Sequence, residues 1–102
     1  MTISFDGKVC VVTGAGNGLG RCHALALAER GAKVVVNDLG GARDGTGASS
    51  EAADTVVDEI IKNGGEAFSH GANVTNYEEV LDMIKQTMKR WGRIDVLINN
   101  AG

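Results

Sequence analysis

The stretch KVCVVT, Lys8 to Thr13, runs straight into GAGNGLG, Gly14 to Gly20, and the junction decides how the rest of the chain reads. The first half is short, apolar and β-branched, the composition of a strand buried on both faces. The second half places four glycines in the eight residues from Thr13 to Gly20, a density that marks a turn rather than a strand or helix interior. The common dinucleotide spacing G-x-G-x-x-G fails here, because Gly14 and Gly16 call for a third glycine where Leu19 stands. The pattern present is T-G-x-x-x-G-x-G. It serves the same physics with a longer turn. Gly14 permits the tight exit from the strand, and Gly18, lacking a Cβ, lets a diphosphate approach the backbone at a helix N-terminus. Unpaired N–H groups and the helix dipole favour an anion there. Gly20 lets the helix pack close against the sheet. The plain alternative is a glycine-rich strand–helix turn with no ligand.

Outward from this junction the elements alternate. Gly18 to Arg30 is rich in helix formers, with Leu19, Cys22, Leu25, Ala26 and Leu27 as the apolar face and Gly31 at the position of a left-handed cap. Lys33 to Asn37 (KVVVN) is a second buried strand. Leu39 to Ala48 is a glycine-rich loop, after which Ser49 or Ser50 can cap a helix carrying Ala53, Val56, Val57, Ile60 and Ile61 on one face. Glu66 to His70 is a short third strand. Thr75 and Glu78 match the reciprocal capping box, and behind them Val80, Leu81, Ile84, Met88 and Trp91 mark one stripe of a helix that stops at Gly92. Arg93 to Ile98 is a fourth strand, followed by Asn99, Asn100, Ala101 and Gly102. The order β-α-β-α-β-α-β implies parallel pairing through right-handed crossovers, an α/β chain forming the first half of a Rossmann-type doubly wound sheet.

Composition excludes several classes. The 102 residues carry 10 Lys and Arg against 13 Asp and Glu, a net charge of −3, which gives no electrostatic footprint for nucleic acid or an anionic membrane. No apolar run approaches the ~20 residues of a spanning helix. Cys10 and Cys22 are too few for a disulfide framework and both read as buried, inert thiols, so a reducing soluble compartment such as the cytoplasm is expected. His23 and His70 lack metal-ligand spacing, so no metal is expected. Lys85, Lys89, Arg90 and Arg93 suit a helix C-terminus, and Trp91 reads as a core anchor.

Asp38 follows the second strand, 24 residues after Gly14, near the offset at which an acid meets the adenosine ribose. A carboxylate there accepts from both ribose hydroxyls and repels a 2′-phosphate, which favours NAD over NADP. Arg43, in the glycine-rich loop, is the cation that would counter this preference.

With Thr13 to Gly20, Asp38 and the terminal Asn99-Asn100-Ala101-Gly102 in place, the whole chain resembles the short-chain dehydrogenase/reductase family. Phe5-Asp6-Gly7-Lys8, Val36 to Gly41 and the loop beyond are similar to the (3R)-hydroxyacyl-CoA dehydrogenase region of multifunctional β-oxidation enzymes and to bacterial relatives. The resemblance implies strand order 3-2-1-4 and an NAD site made by Gly14, the backbone of Asn17, Gly18 and Leu19, and Asp38. It adds Asn73 and Val74 beside the adenine, and Asn100, Ala101 and Gly102 along the cofactor. Asn73 replaces the commoner Asp, with its side-chain oxygen expected to accept from the adenine amino group. Asn99 is expected to bond a neighbouring strand.

The resemblance further implies catalysis by a Tyr-x-x-x-Lys pair with a Ser and a further Asn. The only tyrosine is Tyr77, with Leu81 four residues on, so no catalytic residue is assigned in this chain. The implied function is the NAD-binding part of an oxidoreductase interconverting a secondary alcohol and a ketone, with a 3-hydroxyacyl-CoA as the substrate guess. Residues 1–102 then form the N-terminal portion of one domain cut after its fourth strand. The parent would take a small-molecule substrate, form a homo-oligomer and lie in a reducing compartment, the peroxisome included. Two other classes compete: a non-catalytic nucleotide-binding module, complete as it stands, and a Rossmann-type methyltransferase, against which Val12-Thr13 stands where an acid normally leads the glycine loop.

Overall fold

The computed structural model describes residues 4–16, 18–38 and 51–100. Seven elements follow in the order β1 (Val9–Thr13), α1 (Gly18–Glu29), β2 (Lys33–Asn37), α2 (Glu51–Lys62), β3 (Glu66–His70), α3 (Tyr77–Trp91) and β4 (Val96–Asn99). The strands form one parallel sheet in the order β3-β2-β1-β4, as the alternation of elements and the family resemblance imply. The candidate caps Ser49 and Ser50 and the expected loop at 39–48 lie outside the described residues.

The register sorts side chains into faces, because successive residues of a strand point to opposite sides. Cys10 with Val34, Ala67 and Val96, and Val12 with Val36, Ser69 and Ile98, form two rows on one face. Against it pack Ala24 of α1 and Ala53, Val56 and Ile60 of α2, with Leu25, Leu27 and Ala28 alongside. The opposite face carries the row Phe68–Val35–Val11–Leu97. There α3 brings Met83 and Trp91 onto Val11, Val35 and Phe68, while Leu97 stays 65% exposed. Val9, Val12, Val34, Val35 and Val36 are fully buried, and each such side chain stabilises the fold by about 1.5–3 kcal/mol relative to exposure. Phe68 and Trp91 stack at a tilt with centroids 5.4 Å apart, and the Arg90 guanidinium lies 4.5 Å from the Phe68 centroid.

Three expectations from the pattern need correction. The buried face of α1 is Gly20 and Ala24, not Leu19 and Cys22, both of which are exposed. Alanine and leucine run nearly around this helix, so periodicity alone could not orient it. In α3 the sheet-facing residues are Met83, Thr87 and Trp91, whereas Leu81, Ile84 and Met88 are exposed. The apolar surface of α3 is wider than one contact covers, and the Thr87 hydroxyl is accommodated inside by donating to the Met83 carbonyl at 2.8 Å. The capping box is displaced by one residue. Asn76 is the N-cap and accepts from the Glu79 N–H at 3.2 Å, because the Thr75 N–H and hydroxyl are already donated to Asn73 Oδ1.

Candidate functional site

The strand order changes direction at β1: β2 leaves to one side and β4 to the other. In an open parallel sheet this is where the carboxyl ends of the strands leave a crevice for a ligand. The glycine turn follows β1 at that point. Its shape explains each glycine differently. Gly14 and Gly18 have φ of 64° and 58°, a region that side chains avoid. Gly16 and Gly20 are packed so closely that a Cβ would not fit. On Gly20 it would overlap the Gly14 carbonyl oxygen, which locks the start of α1 against the end of β1. On Gly16 it would overlap the Asp38 carboxylate and stand 2.9 Å from the Ala52 side chain. Space is open over Gly18, where the first turn of α1 begins.

The Asp38 carboxylate therefore lies against the glycine turn. Leu19 is exposed beside it, and Asn100 lies across the crevice with Nδ2 donating to the Gly14 carbonyl at 3.4 Å. The expected contributors Asn17, Ala101 and Gly102 fall outside the described residues. A nicotinamide dinucleotide fits this arrangement on its donor set. The open space over Gly18 and the N-terminus of α1 suit a diphosphate, and the adjoining acid suits ribose hydroxyls.

Asn73 follows β3 but does not offer the group expected of it. Its Oδ1 accepts from the Thr75 N–H at 2.9 Å and the Thr75 hydroxyl at 2.6 Å. A backbone N–H can only donate, so the oxygen must face it, and the amide nitrogen, a donor, is what Asn73 can turn toward a purine ring nitrogen. Val74 is 37% exposed beside it.

One further feature was not anticipated. The last register row of the sheet is polar from edge to edge: His70, Asn37, Thr13 and Asn99. The Thr13 hydroxyl accepts from the Asn100 N–H at 3.0 Å and stands 3.2 Å from Asn99 Oδ1 and 3.4 Å from the Ile98 carbonyl. Asn37, 1% exposed, donates from Nδ2 to the His70 and Ala72 carbonyls at 3.0 Å each. His70 accepts the Ala72 N–H on Nδ1 at 3.0 Å and meets Asp82 Oδ2 through Nε2 at 2.8 Å. That bond holds the Asp82 carboxyl below its usual range. The sequence signal was available: an asparagine closing the apolar run Val34-Val35-Val36 must find partners. At the other end of the sheet Asp95 accepts the Val9 N–H at 2.9 Å and both arms of Arg93, which lower its pKa, the Arg93 bonds most.

Comparison with known proteins agrees with this geometry. The short chain dehydrogenase family model matches residues 8–102, and the chain belongs to that family of oxidoreductases. It is 58% identical over 103 residues to the peroxisomal multifunctional enzyme type 2 of Drosophila melanogaster, covering 98% of this chain and 16% of that protein. It is 56% identical over 104 residues to the peroxisomal hydratase-dehydrogenase-epimerase of Saccharomyces cerevisiae, covering 98% and 11%. Among solved structures, a 7α-hydroxysteroid dehydrogenase complexed with NADH and 7-oxo glycochenodeoxycholic acid superposes with a TM-score of 0.85 at 37% identity, covering 97% of this chain and 35% of that one. The chain thus spans well under half the length of the proteins it matches. The NADH in the last of these points to a nicotinamide cofactor for the shared fold.

Proposed function

We propose that the chain is the cofactor-binding part of an oxidoreductase that uses NAD rather than NADP to interconvert a secondary alcohol and a ketone, with a 3-hydroxyacyl-CoA as substrate. The observation that carries the cofactor choice is the Asp38 carboxylate lying against Gly16 of the glycine turn. An acid in that place accepts from two ribose hydroxyls and repels a 2′-phosphate. The glycine turn and the first N–H groups of α1 receive the diphosphate, with Gly14, Asn17, Gly18 and Leu19 in that role. Asn73 and Val74 border the adenine, and Asn100, Ala101 and Gly102 run beside the nicotinamide end. Bound nicotinamide supplies or accepts the hydride.

The names of the relatives support a dehydrogenase and the peroxisome as compartment, while the acyl-CoA substrate rests on the likeness of Phe5 to Lys8 and Val36 to Gly41 to hydroxyacyl-CoA dehydrogenases. Among the described residues no helix is long and apolar enough to cross a membrane. No residue of this chain is assigned the acid–base step, and we read the parent protein as a homo-oligomer in which residues 1–102 form part of one dinucleotide-binding domain. Tyr77 is 69% exposed on the first turn of α3 and serves no such step.

The test is fluorescence titration of the complete natural polypeptide with NADH and NADPH. NADH is expected to bind at least about tenfold more tightly, and Asp38→Asn to weaken NADH by about tenfold. Equal or tighter binding of NADPH overturns the cofactor choice. Failure of a 3-hydroxyacyl-CoA to reduce bound NAD overturns the substrate.

A further inference from the structure

The β3–α3 connection leaves the sheet at His70, so beyond that residue the strand ladder no longer dictates its path. Two side chains do. Asn37 pairs with His70 in the register and spends both Nδ2 hydrogens on the next carbonyls of this connection, those of His70 and Ala72. His70 turns back and takes the Ala72 N–H on Nδ1. The Ala72 peptide groups are thus held at N–H and C=O by two buried or nearly buried side chains. The His70 carbonyl also accepts the Asp38 N–H at 3.3 Å. One cluster therefore ties the acid after β2 to the connection that carries Asn73 and Val74.

A valine at position 37 would continue the apolar run Val34-Val35-Val36 at no desolvation cost to itself. An amide in a fully buried place is justified by the carbonyls it holds outside the ladder. His70 is equally specific. Nδ1 must carry the lone pair for Ala72, so the proton sits on Nε2, where it meets Asp82.

We propose that Asn37 and His70 are positioning residues for the adenine side of the dinucleotide site, setting the gap between Asp38 and the Ala72–Val74 backbone. The inference rests on the reading that this site takes a nicotinamide adenine dinucleotide. Neither residue touches the nucleotide; both act through main chain.

The complete polypeptide is titrated with NADH and with ADP-ribose, and thermal unfolding is recorded for each variant. His70→Asn keeps an acceptor where Nδ1 stands, and His70→Gln keeps the reach to Asp82 but leaves the Ala72 N–H without its partner. Asn37→Val removes both donors and retains a strand-forming side chain. His70→Gln and Asn37→Val are expected to raise Kd for both ligands by about tenfold, with His70→Asn within about twofold of the parent. If Asn37→Val does not fold, the His70 pair decides alone. Equal affinity of the parent and His70→Gln, or equal losses in His70→Asn and His70→Gln, overturns the proposal while leaving the cofactor reading intact. A parent protein that binds neither NADH nor NADPH overturns both.

Discussion

Alanine at Gly16 and alanine at Gly20 add the same methyl group to the same turn, yet they are expected to fail differently. At Gly20 the obstacle is the Gly14 carbonyl, part of the backbone that leaves β1, with the Asn100 amide 2.8 Å from the added carbon. That backbone cannot retreat, because the next residue, Ala15, donates its N–H to the Asn37 carbonyl at 2.8 Å. Overpacking against a fixed wall costs about 3 kcal/mol, or a fall of roughly 6–12 °C in Tm for a domain of about 150–250 residues. At Gly16 the obstacle is the Asp38 carboxylate, the far end of a rotatable side chain, with Ala52 also close. Ala52 yields by about half an ångström and the carboxylate rotates away. Stability then changes by less than about 1 kcal/mol, since alanine also restricts the unfolded chain. The proposed ribose acceptor is displaced, and losing its charge-assisted hydrogen bonds is expected to raise Kd for NADH by about ten- to a hundredfold. Thermal unfolding and NADH titration of both variants in the complete polypeptide separate the two modes. Gly16→Ala unfolding as early as Gly20→Ala, or binding NADH like the parent, refutes the reasoning.

Three more expectations follow from particular contacts. Arg93 and the Val9 N–H lower the Asp95 pKa, so its contribution to stability is fully present above the ordinary carboxylate range and is lost as pH falls through the lowered value; urea midpoints measured toward acid should fall less steeply in Asp95→Asn. Cys22 is exposed, whereas Cys10 is buried with its thiol pushed up, by burial first and by Asp95 second; peptide mapping after brief treatment of the folded protein with a thiol reagent should find Cys22 modified and Cys10 spared, and equal labelling of the two would contradict the packing of β1. The 102-residue chain on its own exposes Leu97, Leu81, Ile84 and Met88 around the α3 side of the sheet and should self-associate; Leu97→Ser combined with Ile84→Ser should shift sedimentation toward monomer, and an unchanged profile would place the association elsewhere.

Local chemistry explains why so much of the fold was legible. Valines and glycines alternate with helix formers at spacings that only one order of elements satisfies, and the glycine turn and Asp38 lie at strand ends recognisable from neighbouring residues. Helix orientation was less legible. Period alone shows that α3 has an apolar side, but Met83 and Thr87 rather than Leu81 and Ile84 meet the sheet, since the contact depends on where β1, β2 and β3 put Val11, Val35 and Phe68. Thr75 and Asn76 show the same limit at a cap, where the competing acceptor, Asn73 Oδ1, had to be seen in place.

By itself, then, the sequence determined the βα alternation, the parallel sheet and the place of the glycine turn, all of which depend on residues within a few positions of one another. Tertiary structure alone decided that Asp38 lies against Gly16, that Asn37 holds the Ala72 carbonyl and that His70 holds its N–H. Those contacts join residues 20 or more apart, or commit a side chain to one of several nearby partners. Only the packed sheet brings the partners together and removes the water that would otherwise satisfy them.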